Sequence, residues 1–257
     1  MVDGRETNTA PAVLITDPDI LDSYGRDVSG IEGKPDWLLR PKDVQEICEV
    51  VQWARGEGMQ VLPVGAQTST TGASVAMDGV VVDLKSMVNE PQLDPDARLV
   101  RVSAGTNLLA LQDFLRGKGF ELPPDPTSAP DCTVGGAVAT NASGPSTFRY
   151  GPMASFVRGL TVVDGAGATR SIGANRMEKS AMGPVSLQDP TRFFVGAEGL
   201  FGVIVDVQLS VISLPPVIMG MLVGFSSRVQ LLSAVKQLRQ NRDRFPLRAV
   251  EWLDRHC

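Results

Sequence analysis

Histidine is almost missing from this chain: there is one, His256, in 257 residues. That leaves little for chemistry built on imidazole, whether general-base catalysis or metal ligation, and no metal site is expected. Cysteine is scarce too. Cys48, Cys132 and Cys257 are too widely spaced for a zinc motif or a disulfide framework. A reducing cytoplasm is therefore the expected location. Neither sign of charge is in large excess: 24 Lys and Arg stand against 29 Asp and Glu, interspersed, for a net charge of −5. A nucleic-acid partner would call for a basic patch, so none is expected. No apolar run reaches the ~18 residues of a membrane span. The opening MVDGRETNTA lacks the basic-then-apolar pattern of a signal peptide. There is no internal repeat and no low-complexity run. The chain is 43% apolar over 257 positions, enough for a sizeable core.

The most informative segment is 123–151, PPDPTSAPDCTVGGAVATNASGPSTFRYG. It has too few large side chains to make a core and too little charge to make a disordered tail. It suits a backbone lying close against a large ligand. Gly135, Gly136 and Gly144 remove side-chain bulk, and Thr133, Thr140, Asn141 and Ser143 offer short polar arms. Its plain alternative is a Gly-rich surface loop.

A second segment, VLPVGAQTSTTG at 61–72, places Gly65, Ala66, Gln67, Thr68, Ser69 and Gly72 after a strand-like run that stops at Pro63. Successive N–H groups in such a turn can form an anion-binding nest, and hydroxyls add donors. The spacing is neither a Walker A loop nor GxGxxG. It reads as a diphosphate loop without kinase chemistry, or else as a simple turn after a strand.

Taken in order, these segments resemble the FAD-binding domain of the vanillyl-alcohol-oxidase flavoprotein superfamily, the PCMH type. The similarity is strongest to its glycolate oxidase and D-lactate dehydrogenase branch of D-2-hydroxy-acid oxidoreductases. PVGAQTSTTGA stands where that branch has PRGGGTSLSGG, CTVGGAVATNASGPSTFRYG where it has CTIGGNIATNAGGPRSLKYG, and FVGAEGLFGVI at 194–204 where it has FVGSEGTLGVI. YGRDVSG at 24–30 and RPKDVQEICEVVQWA at 40–54 also match, so the resemblance covers residues 20–213. It implies non-covalent FAD held by Val64, Gly65, Ala66, Gln67, Thr68, Ser69 and Gly72 from the first loop. Pro124, Thr127, Thr133, Gly135, Gly136, Ala139, Thr140, Asn141, Gly144 and Tyr150 would serve from the second, and Glu198, Gly202 and Ile204 from the third. Glu198 would be a structural carboxylate near the cofactor. Tyr150 would either stack on the flavin or anchor the turn before Gly151. The chain departs from the pattern at Ala66 and Gln67, which replace loop glycines. Ala tolerates positive φ poorly, so either the nest is reshaped or the Gln67 side chain shares in holding the diphosphate. Val64 replaces an Arg.

The expected fold class is α+β: a two-subdomain PCMH-type fold followed by an incomplete α/β cap. An N-terminal segment (1–39) precedes subdomains at 40–102 and 103–213, and a cap fragment occupies 217–257. Pro41 and Asp43 open a helix with Val44, Ile47, Val50, Val51 and Ala54 on one stripe. Strands follow near 60–63, 80–84 and 99–103. Asn107 caps a second helix carrying Leu108, Leu111 and Leu115, stopped by Gly119. Residues 156–163 and 168–172 flank a DGAG hairpin, and 201–212 alternate as a long strand. Beyond Pro215 and Pro216, strands at 217–225 and 248–253 would flank a helix at 227–242. Trp37, Trp53 and Trp252 read as core or boundary aromatics.

The resemblance implies hydride transfer from the C–H of a small 2-hydroxy acid to flavin N5, with a base taking the hydroxyl proton. The family's base lies in the cap. His256 reads as a solvated side chain, so the catalytic residues stay unassigned and the 257-residue chain is expected to be inactive alone. The alternative is a non-catalytic flavin-binding subunit that needs a partner chain. The unfinished cap would favour self-association or such a partner.

Overall fold

Two larger sheets and a two-stranded pair carry the chain, and its long helices begin where the sequence places a cap. The computed structural model describes residues 10–11, 13–173, 189–241 and 244–254. His256 and Cys257 lie outside the described residues. A short α1 (Pro18–Asp22) is followed by β1 (Trp37–Leu39), α2 (Val44–Gly56), β2 (Val61–Val64) and β3 (Val80–Asp83). The three strands form a parallel sheet in the order β1-β3-β2. Asp43 caps α2 by accepting from the Glu46 N–H at 3.0 Å, and Glu46 in turn accepts from the Lys42 N–H at 2.9 Å. Ile47, Val50, Val51 and Ala54 then bury one face of α2.

Period two decides which side of the sheet each residue covers. Leu39, Val80 and Val82 pack with α2, whereas Leu38, Val81 and Val64 face a second cluster with Leu21 and Tyr24. A parallel sheet covered on both faces reads as a continuous apolar run, and VVV at 80–82 is such a run. Trp37 and Trp53 meet edge to face at 5.5 Å beside it. Trp252, by contrast, is exposed, with Arg228 over its ring.

The rest of the chain builds β4 (Gln92–Asp94), β5 (Leu99–Ser103), α3 (Leu108–Gly117), β6 (Phe120–Glu121), α4 (Val134–Ala139) and α5 (Thr147–Tyr150). There follow β7 (Val157–Val163), β8 (Thr169–Gly173), β9 (Val203–Ser210), β10 (Ile212–Ser213) and α6 (Arg228–Gln240). A five-stranded antiparallel sheet runs β4-β5-β9-β7-β8, and β6 pairs with β10. Asn107 caps α3 through the Ala110 N–H at 3.0 Å, and Leu108, Leu111 and Leu115 are buried against the sheet.

β9 does not simply alternate. Thr161 pairs with Asp206 but Val162 pairs with Ile204, so Val205 is an extra residue. Such a bulge reverses the facing of everything beyond it. Val203 and Val205 therefore join the α2 cluster, while Val207 and Leu209 join the α3–α4 core. One strand thus serves both cores and ties the two sheets together.

The chain before β1 folds over the loop after β2. Asp27 accepts from the Ser74 hydroxyl at 3.0 Å, and from the Ser29 N–H at 2.8 Å. Burial acts to raise the Asp27 pKa, but the bonds from Ser29 and Ser74 outweigh it and hold the carboxyl below its ordinary value. A lowered folded pKa contributes stability above the unfolded value of ~3.9, and that stability is lost as pH falls through the folded one. Melting temperatures followed by circular dichroism from pH 6 to pH 3 should therefore fall more steeply for the natural chain than for Asp27→Asn.

Residues 217–225 and 248–253 are not strands. α6 forms where expected, capped by Ser227, but neither flanking segment joins a sheet among the described residues. A strand is defined by its ladder, and apolar alternation without a partner leaves an exposed chain. Met219 and Leu222 are 88% and 89% exposed.

Candidate functional site

β2 ends at Val64 on the carboxyl edge of the parallel sheet, the edge where open α/β sheets bind ligands. The loop that follows has donors to spare. The backbone N–H groups of Ala66, Gln67, Thr68, Ser69 and Thr70 meet no acceptor among the described residues. Gln67 sits at φ +55°, the left-handed conformation found in anion-binding nests. The strained position thus falls on Gln67 and not on Ala66. The Gln67 side chain does not share in the nest, because its amide donates to the carbonyls of Arg26 at 2.7 Å and Ser23 at 3.3 Å. It fastens the N-terminal turn to the loop instead.

The second wall is α4 with the turn that follows it. Thr133 caps α4 by accepting from the Gly136 N–H at 3.1 Å. The neighbouring glycines have opposite duties. A Cβ on Gly135 would lie 2.6 Å from the Ala104 Cβ, so this glycine lets the helix pack on the sheet. A Cβ on Gly136 would meet only the Thr133 Oγ1, at 3.1 Å, and otherwise project into open space. Gly65 lies against that same Thr133 hydroxyl, which brings the first loop onto the second wall.

The third wall is 196–204. The Gly196 and Glu198 N–H groups donate to the carbonyls of Val138 and Ala139 at 3.1 and 2.9 Å, fixing this loop to the end of α4. Glu198 sits at φ +52°. Its Oε1 accepts from the Thr71 hydroxyl at 3.1 Å, and the hydroxyls of Thr71 and Ser69 are 3.0 Å apart. Together the three walls enclose a cleft of about 280 Å³.

Of the residues proposed from the sequence, Val64, Gly65, Ala66, Gln67, Thr68, Ser69, Thr133, Gly135, Gly136, Ala139, Thr140, Glu198, Gly202 and Ile204 line this cleft. Six others stand outside its lining. Gly72 turns at φ +83° toward Ile31, and the Pro124 carbonyl accepts from the Gln112 amide at 2.8 Å. Thr127 is exposed, and Asn141 accepts from the Ala154 N–H at 2.9 Å. Gly144 packs on the Asp125 backbone, and Tyr150 lies under the guanidinium of Arg248 at 5.9 Å.

Thr70, Thr71, Ser74, Leu84, Ala104, Ser128, Cys132 and Gly199 also line the cleft and were missed. Thr70 and Thr71 could have been found, since they continue the hydroxyl run of the first loop. Leu84 and Ala104 carry no local signal; only the meeting of the sheets brings them there. Burial pushes the Cys132 thiol pKa up, the opposite of what a reactive thiolate needs. Among the described residues no group of three or more His, Cys, Asp or Glu could hold a metal ion, and no helix is long and apolar enough to cross a membrane.

Known proteins share this chain's sequence pattern and fold. The chain is similar to the D-2-hydroxyglutarate dehydrogenase of Xanthomonas citri pv. viticola, at 33% identity over 250 residues, covering 93% of this chain and 52% of that protein. It is similar to the D-lactate dehydrogenase of Anaerostipes hadrus, at 29% identity, covering 89% of this chain and 47% of that protein. The chain thus spans about half the length of the curated relatives it matches. A solved alkyldihydroxyacetonephosphate synthase shares the fold, with a TM-score of 0.71 at 20% identity over 92% of this chain and 44% of that one. The sequence profile of the FAD binding domain matches residues 35–173, more than half of the chain, and this protein belongs to that family.

Proposed function

We propose that this chain is the flavin-binding portion of an FAD-dependent dehydrogenase acting on small D-2-hydroxy acids, with the cofactor lying in the cleft between subdomains 40–102 and 103–213. The observation that carries this reading is the run of five N–H groups at 66–70 that meet no acceptor among the described residues, in a loop lining a glycine-walled cleft. The residues fit the group. The N–H groups and the Thr68 hydroxyl, which lines the cleft, suit a diphosphate, and Gly136 leaves the space a ring system needs. The buried Cys132 thiol supports non-covalent binding.

When bound, FAD supplies the hydride acceptor; the chain supplies its placement. The loop after β2 would hold the diphosphate, α4 and the 196–204 loop would form the floor, and Gln67 fastens the N-terminal turn to the loop. Proton transfer needs a positioned base. Among the described residues, the titratable side chains lining the cleft are Glu198 and Cys132; the first is engaged by Thr71, the second is buried. That observation also favours a second reading, a flavin-binding subunit completed by a partner chain. The exposed apolar residues of 217–225 suit such a partner or a second copy.

Reconstitution followed by a dye-reduction assay tests both readings. The purified chain should take up FAD and turn yellow, yet show no appreciable oxidation of D-2-hydroxyglutarate, D-lactate or glycolate. Robust turnover would place the base within this chain and remove the second reading. Failure to take up FAD would remove both.

A further inference from the structure

We infer that Glu198 is a positioning residue that sets the direction of a hydroxyl chain, Ser69–Thr71–Glu198, and thereby holds the anion-binding turn open. This rests on the FAD reading and deepens it. A carboxylate acceptor has no proton to give, so the Thr71 hydroxyl must donate to it across 3.1 Å. The Thr71 oxygen is then an acceptor for Ser69, 3.0 Å away, and the Ser69 oxygen accepts from the Thr71 N–H at 3.2 Å. The Ser69 proton is spent inside the protein, so Ser69 is not a donor to a diphosphate. The direct donors are the N–H groups of 66–70 and the Thr68 hydroxyl.

The chain bridges two walls of the cleft. Thr71 belongs to the loop of the parallel sheet, and Glu198 to a loop bonded to α4. Glu198 is held in a left-handed backbone conformation that a non-glycine residue adopts only at a cost, between Gly196 at φ +78° and Gly199 at φ +88°. A glycine would relieve that strain but would have no carboxylate to hold Thr71. Placing a carboxylate beside an anion nest would also be unfavourable unless it did something else, and orienting the loop is what it does here.

The test compares Thr71→Val, Thr71→Ser, Glu198→Gln, Glu198→Ala and the Thr71→Val/Glu198→Ala pair, by fluorescence titration with FAD and by calorimetry with ADP, which carries the diphosphate without the flavin. Glu198→Gln keeps an acceptor and Thr71→Ser keeps the hydroxyl, so both should bind within about threefold of the natural chain. Thr71→Val and Glu198→Ala should each bind FAD and ADP about tenfold more weakly, and the pair no more weakly than either alone. In ligand-free protein, amide exchange at 66–71 should rise in the same two variants. Natural affinity and exchange in Glu198→Ala and Thr71→Val, or additive losses in the pair, would overturn the inference. So would tighter binding in Glu198→Gln and Glu198→Ala alike, which would mark a purely electrostatic role. A natural chain that binds neither FAD nor ADP would overturn the FAD reading instead, and the exchange data would still judge the hydroxyl chain.

Discussion

Gly136→Val gives a folded protein that no longer retains FAD. The Gly136 Cβ position opens on the cleft, with only the Thr133 Oγ1 near it, at 3.1 Å. A branched side chain there fills the space where backbone should meet cofactor, and overlap of this kind is not relieved by small shifts in a packed wall. Within a helix, Val is no worse than Gly, so α4 itself should survive. The expected loss is at least about a hundredfold in FAD affinity, on the order of 3 kcal/mol. Far-UV circular dichroism and the visible spectrum of the same sample check it. Natural secondary structure with full flavin content would refute the placement. Gly135→Val is the internal contrast: its Cβ strikes Ala104, so it should lower the melting temperature whether or not FAD is present.

The second large effect is expected outside the lining of the cleft. Arg248, in the segment after α6, forms an ion pair with Glu121 and donates to the Ser146 hydroxyl at 2.7 Å. Ser146 is itself bonded to Asp125 through its N–H at 2.9 Å and its hydroxyl at 2.6 Å. The cluster thus fastens both ends of the 123–151 segment. Burial opposes the charge on Arg248, and Glu121 more than offsets it, holding the guanidinium pKa above its ordinary value. Glu121 is only 4% exposed, and one of its oxygens has no partner among the described residues, so it has little margin. Removing one partner of a buried pair leaves an uncompensated charge and costs about 3–5 kcal/mol, whereas removing both is far milder. Arg248→Met should therefore shift the urea midpoint strongly downward, and Glu121→Gln/Arg248→Met should recover most of the loss. A change under ~1 kcal/mol in the single variant would show that the segment leaves and water replaces it.

The parts of this molecule that were legible in the sequence are those set by neighbours along the chain. Asp43 and Asn107 cap α2 and α3 because a cap needs only an acceptor three residues from its donor. The apolar stripes of those helices, the DGAG hairpin and the hydroxyl-rich loop after β2 have the same local origin. Much of the cleft was legible for that reason: its donors come in runs.

What only the tertiary structure decided depends on residues distant in sequence. Thr71 and Glu198 are 127 positions apart, and neither residue type signals the bond. Gly135 and Gly136 look alike in the sequence, yet one meets Ala104 and the other open space. The bulge at Val205 is invisible until β9 pairs with β7. Segments 217–225 and 248–253 have a strand-like pattern but no ladder among the described residues, since pattern fixes which face is apolar and not whether a partner exists. The sequence by itself determined the helices, the turns and the chemical character of the loops, because those follow from short-range sterics and hydrogen bonding. The tertiary structure alone decided which donors were already spent inside the protein and which were left for a ligand, because that depends on where the two sheets bring their loops together.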